Sequence, residues 1–333
     1  MAEIVLALGS SHSPMLGSPG EDYPAHAEID RGRTNWKRTL LDKHGQPTTY
    51  EELLQQAPPD LEEQVTLEVM QQRAASCREC VEHLSQVLAG SDLDALIVVG
   101  DDQMEQFHED NMPAVSVYWG ETILNSVLTL AEGSPAFWKK ARSIYHEESA
   151  PREYPVASEL GRHLIEQLID SGFDVSHSRR LPRERGEGHA FGFVHRQLMR
   201  DKVIPMLPIA MNTYFPPNQP PPRRCYALGQ AIHDAVRSWH ADRRIGILAS
   251  GGLSHFTVNE ELDRKVLEAC RSKDRDSLVS LPPALLSSGS SEIRTWITIA
   301  GAAEQLELGW SRYISCYRSP AGTGTGMGFA VWS

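Results

Sequence analysis

The stretch Ile4-Val5-Leu6-Ala7-Leu8-Gly9-Ser10-Ser11-His12-Ser13-Pro14 passes from five consecutive apolar residues into small polar ones that carry one histidine. An apolar run without polar alternation fits a strand buried on both faces of an α/β sheet. In open sheets of that kind ligands gather beyond the carboxyl ends of the strands. His12 therefore stands where an imidazole holds a metal or moves a proton, or else closes a turn by bonding nearby backbone. One histidine does not separate these readings; partners at other strand ends would.

The pattern recurs. Ala95-Leu96-Ile97-Val98-Val99-Gly100 is a second buried strand, followed at once by Asp101, Asp102, Gln103, Glu105 and His108. Two carboxylates and an amide there read either as a site or as a turn with a helix cap. Val203 to Met211 is a third apolar run, and Asn212 to Pro222 follows it as a proline-rich loop that leads into a helix over Leu228–Trp239. Ile245 to Ser250 is a further strand, and Gly251-Gly252-Leu253-Ser254-His255 repeats the opening pattern with glycines that let backbone approach a ligand. Ser254 beside His255 is not a hydrolase nucleophile elbow, because Gly-x-Ser-x-Gly would need glycine at Phe256.

Between these strands the spacing predicts helices. Apolar residues from Val65 to Leu88 recur every three or four positions, which predicts a long amphipathic helix over Leu61–Leu88 carrying Cys77 and Cys80. Thr48 and Thr49 before an acidic turn predict a short helix start, and Val156–Ile169 predicts another helix closed by Ser171-Gly172. Val115 to Trp119 reads as a strand. Gly188-His189-Ala190-Phe191-Gly192-Phe193-Val194-His195 places two more histidines between glycines, after a charged loop from Arg179 to Glu187. Glu292 falls in the first turn of a helix running to Ala300, where dipole stabilisation alone accounts for an acidic residue. The segment Gly322 to Gly328 reads as a loop into a final strand, since nothing after it can form the helix of a dinucleotide fingerprint. From Pro14 to about Pro59, with Asp22, His26, Arg31, Arg33, Lys37, His44 and Tyr50, apolar periodicity is too weak for a core layer; the stretch reads as an excursion over the sheet.

Bulk properties bound the function. Of 333 residues 41% are hydrophobic and 23% charged, as in ordinary globular proteins. The net charge of -12 argues against nucleic-acid binding, which draws on clustered Lys and Arg. No apolar run approaches the ~18 residues of a membrane span, and no signal-type segment opens the chain, so a cytoplasmic protein without membrane contact is expected. Five scattered cysteines read as free thiols; Cys77-x-x-Cys80 lacks the further ligands of a zinc site.

Taken together, Ser10 to Pro14, Val98 to Phe107, the Gly188–Met199 region, Asn212 to Cys225, Gly251 to His255, and Glu292 to Gly301 with its Trp296 resemble, in order, the class III extradiol ring-cleaving dioxygenases. These include protocatechuate 4,5-dioxygenase catalytic subunits and gallate and 3-O-methylgallate dioxygenases. The resemblance implies a three-layer α/β fold, its mixed, mostly parallel central sheet covered by helices on both faces. Residues 1–333 then form one catalytic domain with a polar excursion at about 18–60. It implies extradiol cleavage of a carboxylated catechol or gallate-like ring by O2 at an Fe(II) held by two histidines and a carboxylate. His12 corresponds to the first ligand and Glu292 to the carboxylate. The family's Asn-Asp-His, whose histidine is the other ligand, reads Asp101-Asp102-Gln103 here. The third ligand is then Gln103, Asp102 or His108, or the metal is another divalent ion serving a hydrolase or lyase, or the chain is a non-catalytic homologue. The family's acid/base histidine corresponds to His255, and a second to His189, with His195 as the alternative. A homo-oligomer is expected; the excursion lies where it can take the place of the small helical partner that the family's catalytic subunit often uses.

Overall fold

In the computed structural model residues 1–33, 39–183 and 185–333 are described; Lys37, named above, and one residue of the charged loop from Arg179 to Glu187 lie outside them. Nine strands form one sheet: β1 (Glu3–Ser10), β2 (Ala95–Asp101), β3 (Val115–Tyr118), β4 (Ser176–Ser178), β5 (Met206–Met211), β6 (Arg244–Ser250), β7 (His255–Thr257), β8 (Leu308–Tyr317) and β9 (Thr323–Trp332). Their order is β7-β9-β1-β6-β2-β5-β3-β4, with β8 also paired to β9. The four central strands β1, β6, β2 and β5 are mutually parallel, and antiparallel pairs flank them on both sides.

Apolar runs at the centre are explained by what covers them. All seven residues of β2 are buried. On one face Leu6, Leu8, Leu96, Val98, Met206 and Leu248 pack against the long helix α2 and the segment after His189. On the other, Ile4, Ala7, Ile97, Val99, Leu207, Ile209, Ile247 and Ala249 pack against four helices. The seven labelled helices are α1 (Tyr23–Arg31), α2 (Leu67–Gly90), α3 (Ala136–Ser143), α4 (Ser158–Asp170), α5 (Pro222–Ser238), α6 (Glu260–Ser272) and α7 (Ile293–Ala302). Successive strand residues point to opposite faces, so a run apolar at both parities requires two cores, here supplied by α2 below and α4 to α7 above. This is the expected three-layer α/β architecture.

Several boundaries differ from the sequence reading for local reasons. The long helix begins at Leu67 rather than Leu61, because Thr66 caps it through the Val69 amide and a 3-10 turn occupies Pro59–Val65. α5 begins at Pro222, six residues early, since a proline in the first turn gives up no helical hydrogen bond. The polar excursion contains α1 as well as the short helix Tyr50–Gln56, whose Thr49 and Glu52 form a capping box. Of the glycines read as a C-terminal loop, Gly324, Gly326 and Gly328 belong to β9 itself. A Cβ on Gly326 would lie 1.9 Å from Asp263 Oδ2, and one on Gly328 2.7 Å from Leu253 Cδ1, so this strand is glycine-rich because neighbours press against it. All five cysteines are buried free thiols, with Cys77 Sγ 3.5 Å from Cys316 Sγ. No helix among the described residues is long and apolar enough to cross a membrane.

Candidate active site

Parallel strands end on the same side of the sheet, so the carboxyl ends of β1, β2, β5 and β6 deliver His12, Asp101 with Gln103, Tyr214, and the Gly251–His255 turn to one place. Glu292 enters from the amino end of α7. Buried Arg294 fixes that meeting by donating to the carbonyls of Thr213, Pro220, Leu286 and Ser291, which ties the Tyr214 loop to the Glu292 turn.

The tautomer of His12 follows from its neighbours. The Ser250 hydroxyl donates to the Ala190 carbonyl at 2.7 Å, so at 3.0 Å it accepts from His12 Nδ1. A neutral His12 then turns the lone pair of Nε2 into the site. That nitrogen lies 3.4 Å from Asp101 Oδ1 and 3.3 Å from Glu292 Oε2, and it has no hydrogen-bond partner among the described residues. Asp101 is fully buried, and neither of its oxygens has such a partner either. Burial and the nearby Glu292 raise its pKa. His12 Nε2 and both Asp101 oxygens are thus buried without a hydrogen-bond partner among the described residues, an arrangement that a cation relieves. Donor atoms sharing one ion at bonds of about 2.1 Å stand roughly 3.0–3.5 Å apart, the distance His12 Nε2 keeps from each of the two carboxylates, so the residues around His12 fit a divalent metal. Asp101 also comes within 3.9 Å of His189 Nε2, and His12, Asp101 and His189 form a buried group able to hold an ion.

Around this centre the carboxylates and imidazoles are held by further hydrogen bonds. Glu292 accepts from the Gly252 amide (2.6 Å) and the Tyr214 hydroxyl (2.6 Å). His255 Nδ1 donates to the Leu253 carbonyl (2.9 Å), leaving Nε2 at 3.1 Å from both Tyr214 Oη and Glu292 Oε1. Burial alone would lower the His255 pKa, but Glu292 outweighs it and raises it. His189 Nδ1 meets Glu105 Oε2 at 2.6 Å; burial is again outweighed, by Glu105 and Asp101, and the pKa rises to about 9. The Tyr145 hydroxyl donates to the His12 carbonyl at 2.6 Å. These groups line a cleft of about 160 Å³, on the order of the cavity that takes one benzene-sized ring.

The sequence candidates separate accordingly. His12, Gln103, His189, His255 and Glu292 line the cleft. Gln103 is placed beside the carboxylate, its Nε2 3.4 Å from Glu292 Oε1 and from Tyr214 Oη. Asp102 turns away: its oxygens accept the amides of Glu105, Gln106 and Phe107, the turn reading of that segment. His108 is not among the residues lining the cleft. His195 is buried elsewhere, bonded to Glu187 at 2.8 Å and stacked 3.9 Å from the Tyr154 ring. Sequence reasoning passed over Tyr145, Tyr214 and Ser250 as site residues, and it named Asp101 and Glu105 only as part of the polar turn after β2, with no role for either. Asp101 carried a signal, as the acid that ends a buried strand; Tyr145 carried none.

A family model described as the catalytic LigB subunit of aromatic ring-opening dioxygenase matches residues 68–328. The chain belongs to this family. Gallate dioxygenase of Pseudomonas putida is 33% identical over 119 residues, 34% of this chain and 34% of that protein. A 2,3-dihydroxyphenylpropionate/2,3-dihydroxicinnamic acid 1,2-dioxygenase of Photorhabdus laumondii is 26% identical over 178 residues, 54% of this chain and 48% of that one. Another protein of that name, from Azotobacter vinelandii, is 32% identical over 115 residues, 34% of this chain and 35% of its own. The matched segments thus span a third to a half of these relatives. Family members are ring-cleaving, metal-dependent oxidoreductases, and the acceptor cluster at His12 and Asp101 lies within this framework.

Proposed function

We propose that this chain cleaves the ring of an aromatic diol beside its hydroxyls, with O2 as oxidant and Fe(II) as the metal, and that its substrate is a carboxylated catechol or gallate-like ring. The observation that carries the reading is that His12 Nε2 stands 3.4 Å from Asp101 Oδ1 and 3.3 Å from Glu292 Oε2, while neither that nitrogen nor the Asp101 oxygens have a hydrogen-bond partner among the described residues. In this reading those three residues hold the metal, and Gln103 supports Glu292 rather than replacing the family's second histidine. Bound there, a divalent ion supplies Lewis acidity that makes the diol hydroxyls easier to deprotonate.

The chain's own groups do the rest. His255, oriented by the Leu253 carbonyl, takes a proton from one hydroxyl at Nε2, and the Tyr214 hydroxyl bridges it to Glu292. His189, held by Glu105 and with its ring 4.6 Å from that of His12, is the second proton donor. Tyr145, Pro14 and Phe256 narrow the cleft around a planar ring.

One imidazole and two carboxylates form a harder donor set than two imidazoles and one carboxylate, and this favours a second reading, in which Mg(II) or Mn(II) serves hydrolysis or lysis in the same cleft. The separating experiment is metal analysis of the purified protein with O2-uptake measurements on protocatechuate, gallate, 3-O-methylgallate and 2,3-dihydroxyphenylpropionate. Ring cleavage predicts about one iron per chain and uptake with at least one diol. Iron-loaded protein that consumes no O2 with any of them refutes it.

A further inference from the structure

Three guanidinium groups line the cleft, and they differ in what neutralises them. Arg318 makes a two-pronged contact with Asp30, Nε to Oδ2 at 2.6 Å and Nη2 to Oδ1 at 2.8 Å. Arg33 donates to the same carboxylate at 2.7 Å and lies 3.7 Å over the Phe256 ring. Arg318 thus holds α1 onto the turn between β8 and β9, and Arg33 is committed to the end of α1 and the Phe256 ring of β7.

Arg142 is different. Its carboxylate neighbour is Glu105, whose Oε1 lies 3.8 Å from Nη2, an ion pair beyond hydrogen-bond distance, while the other oxygen, Oε2, is bonded to the ring and the backbone amide of His189. The Arg142 Nε is buried and has no hydrogen-bond partner among the described residues. A buried donor left unmade is costly, so a site with one is built to receive an acceptor. Trp138 stands one helical turn earlier on α3, on the same side of the helix, and also lines the cleft. Its ring is kept in place by the edge of His26, 5.6 Å between centroids. The wall therefore pairs a flat apolar surface with a planar fork of N–H donors, the geometry that receives a carboxylate attached to an aromatic ring.

We propose that Arg142, with Trp138, is the specificity-determining site for a carboxylate substituent of the ring. The assignment deepens the ring-cleavage reading and rests on it for the diol end of the substrate. The test is anaerobic calorimetry of the metal-loaded protein with 3,4-dihydroxybenzoate and with catechol. Wild type binds the benzoate about 10- to 100-fold more tightly, the range of a charge-assisted contact. Arg142→Met brings the two ligands within about threefold by weakening the benzoate alone, Arg142→Lys keeps most of the preference, and Arg142→Glu shifts it to 3,4-dihydroxybenzylamine. The amine arm keeps the test decisive if one variant folds poorly. A preference that survives Arg142→Met, or a wild type that prefers neither ligand or binds neither, overturns the assignment. A preference that follows Arg142 while no diol supports O2 uptake upholds the anion site and sinks the ring-cleavage reading instead.

Discussion

Replacing Asp101 by asparagine should move stability and metal affinity in opposite directions. Asp101 and Glu292 each place an oxygen within 3.4 Å of His12 Nε2, so their facing oxygens are under about 7 Å apart, fully buried. At an effective dielectric constant near 20, two charges at that distance repel by about 2.5 kcal/mol. Asparagine keeps the shape and removes the charge, so metal-free Asp101→Asn should be more stable than metal-free wild type by about 2 kcal/mol. With an unfolding entropy of roughly 2.1 cal/mol/K per residue, that raises Tm by about 3 °C. The pH dependence has a definite sign. The folded Asp101 pKa is raised above its unfolded value by burial and Glu292, so its proton stabilises the fold at low pH and that stabilisation is lost as pH rises. The gain from Asp101→Asn is therefore largest on the alkaline side and vanishes in acid. With metal the order reverses, because losing a charged ligand weakens binding by at least the 10- to 100-fold typical of supporting residues. The assay is thermal melting in EDTA and across an anaerobic Fe(II) titration, with metal content measured on the same samples. A variant less stable than wild type in EDTA that still binds metal with wild-type affinity would refute the role given to Asp101.

Three further outcomes are expected. Gln103→His should raise iron affinity and any ring-cleaving rate, because an imidazole there adds a ligand beside Glu292; unchanged iron content on titration would show that the side chain does not reach the metal. His255→Gln should lower kcat/KM for O2 uptake by about 10²- to 10⁴-fold while metal content stays constant, and near-normal turnover would remove it as the acid/base group. Asp30→Asn leaves the buried Arg318 without its partner and should destabilise the fold by about 3–5 kcal/mol in urea unfolding. In wild type, burial works to raise the Asp30 pKa but Arg318 and Arg33 hold it below its ordinary value. The stability it contributes is present above pH ~4 and lost as pH falls through the depressed pKa; an Asp30→Asn protein with the same acid profile would contradict this.

That the central strands β1, β2, β5 and β6 exist and are buried on both faces was legible in the sequence, because an apolar run without alternation has no other stable setting in water; β4, β7 and β8, which lack such runs, were not. The carboxyl ends of those runs also marked His12, His255 and the Asp101–Gln103 turn, since polar residues immediately after buried strands stand at the sheet's edge. Helix starts were less legible, because a 3-10 turn before Leu67 and a proline-led first turn at Pro222 have the same apolar spacing as helix. The glycines of β9 misled because their absence of side chains answers pressure from Asp263, Leu253 and Trp296, residues distant in the chain.

The sequence by itself determined the layered fold and the family's order of motifs. Only the tertiary structure decided which atoms meet. It turned Asp102 into a turn cap and brought its neighbour Asp101 to His12, because consecutive residues leaving a strand point in opposite directions. It took His195 out of the site by giving it Glu187, and it left Arg142 with a donor unmet at the cleft wall. Partner choice among buried polar groups depends on contacts across 100 or more residues of chain, as between His12 and Glu292, and no local pattern carries that information.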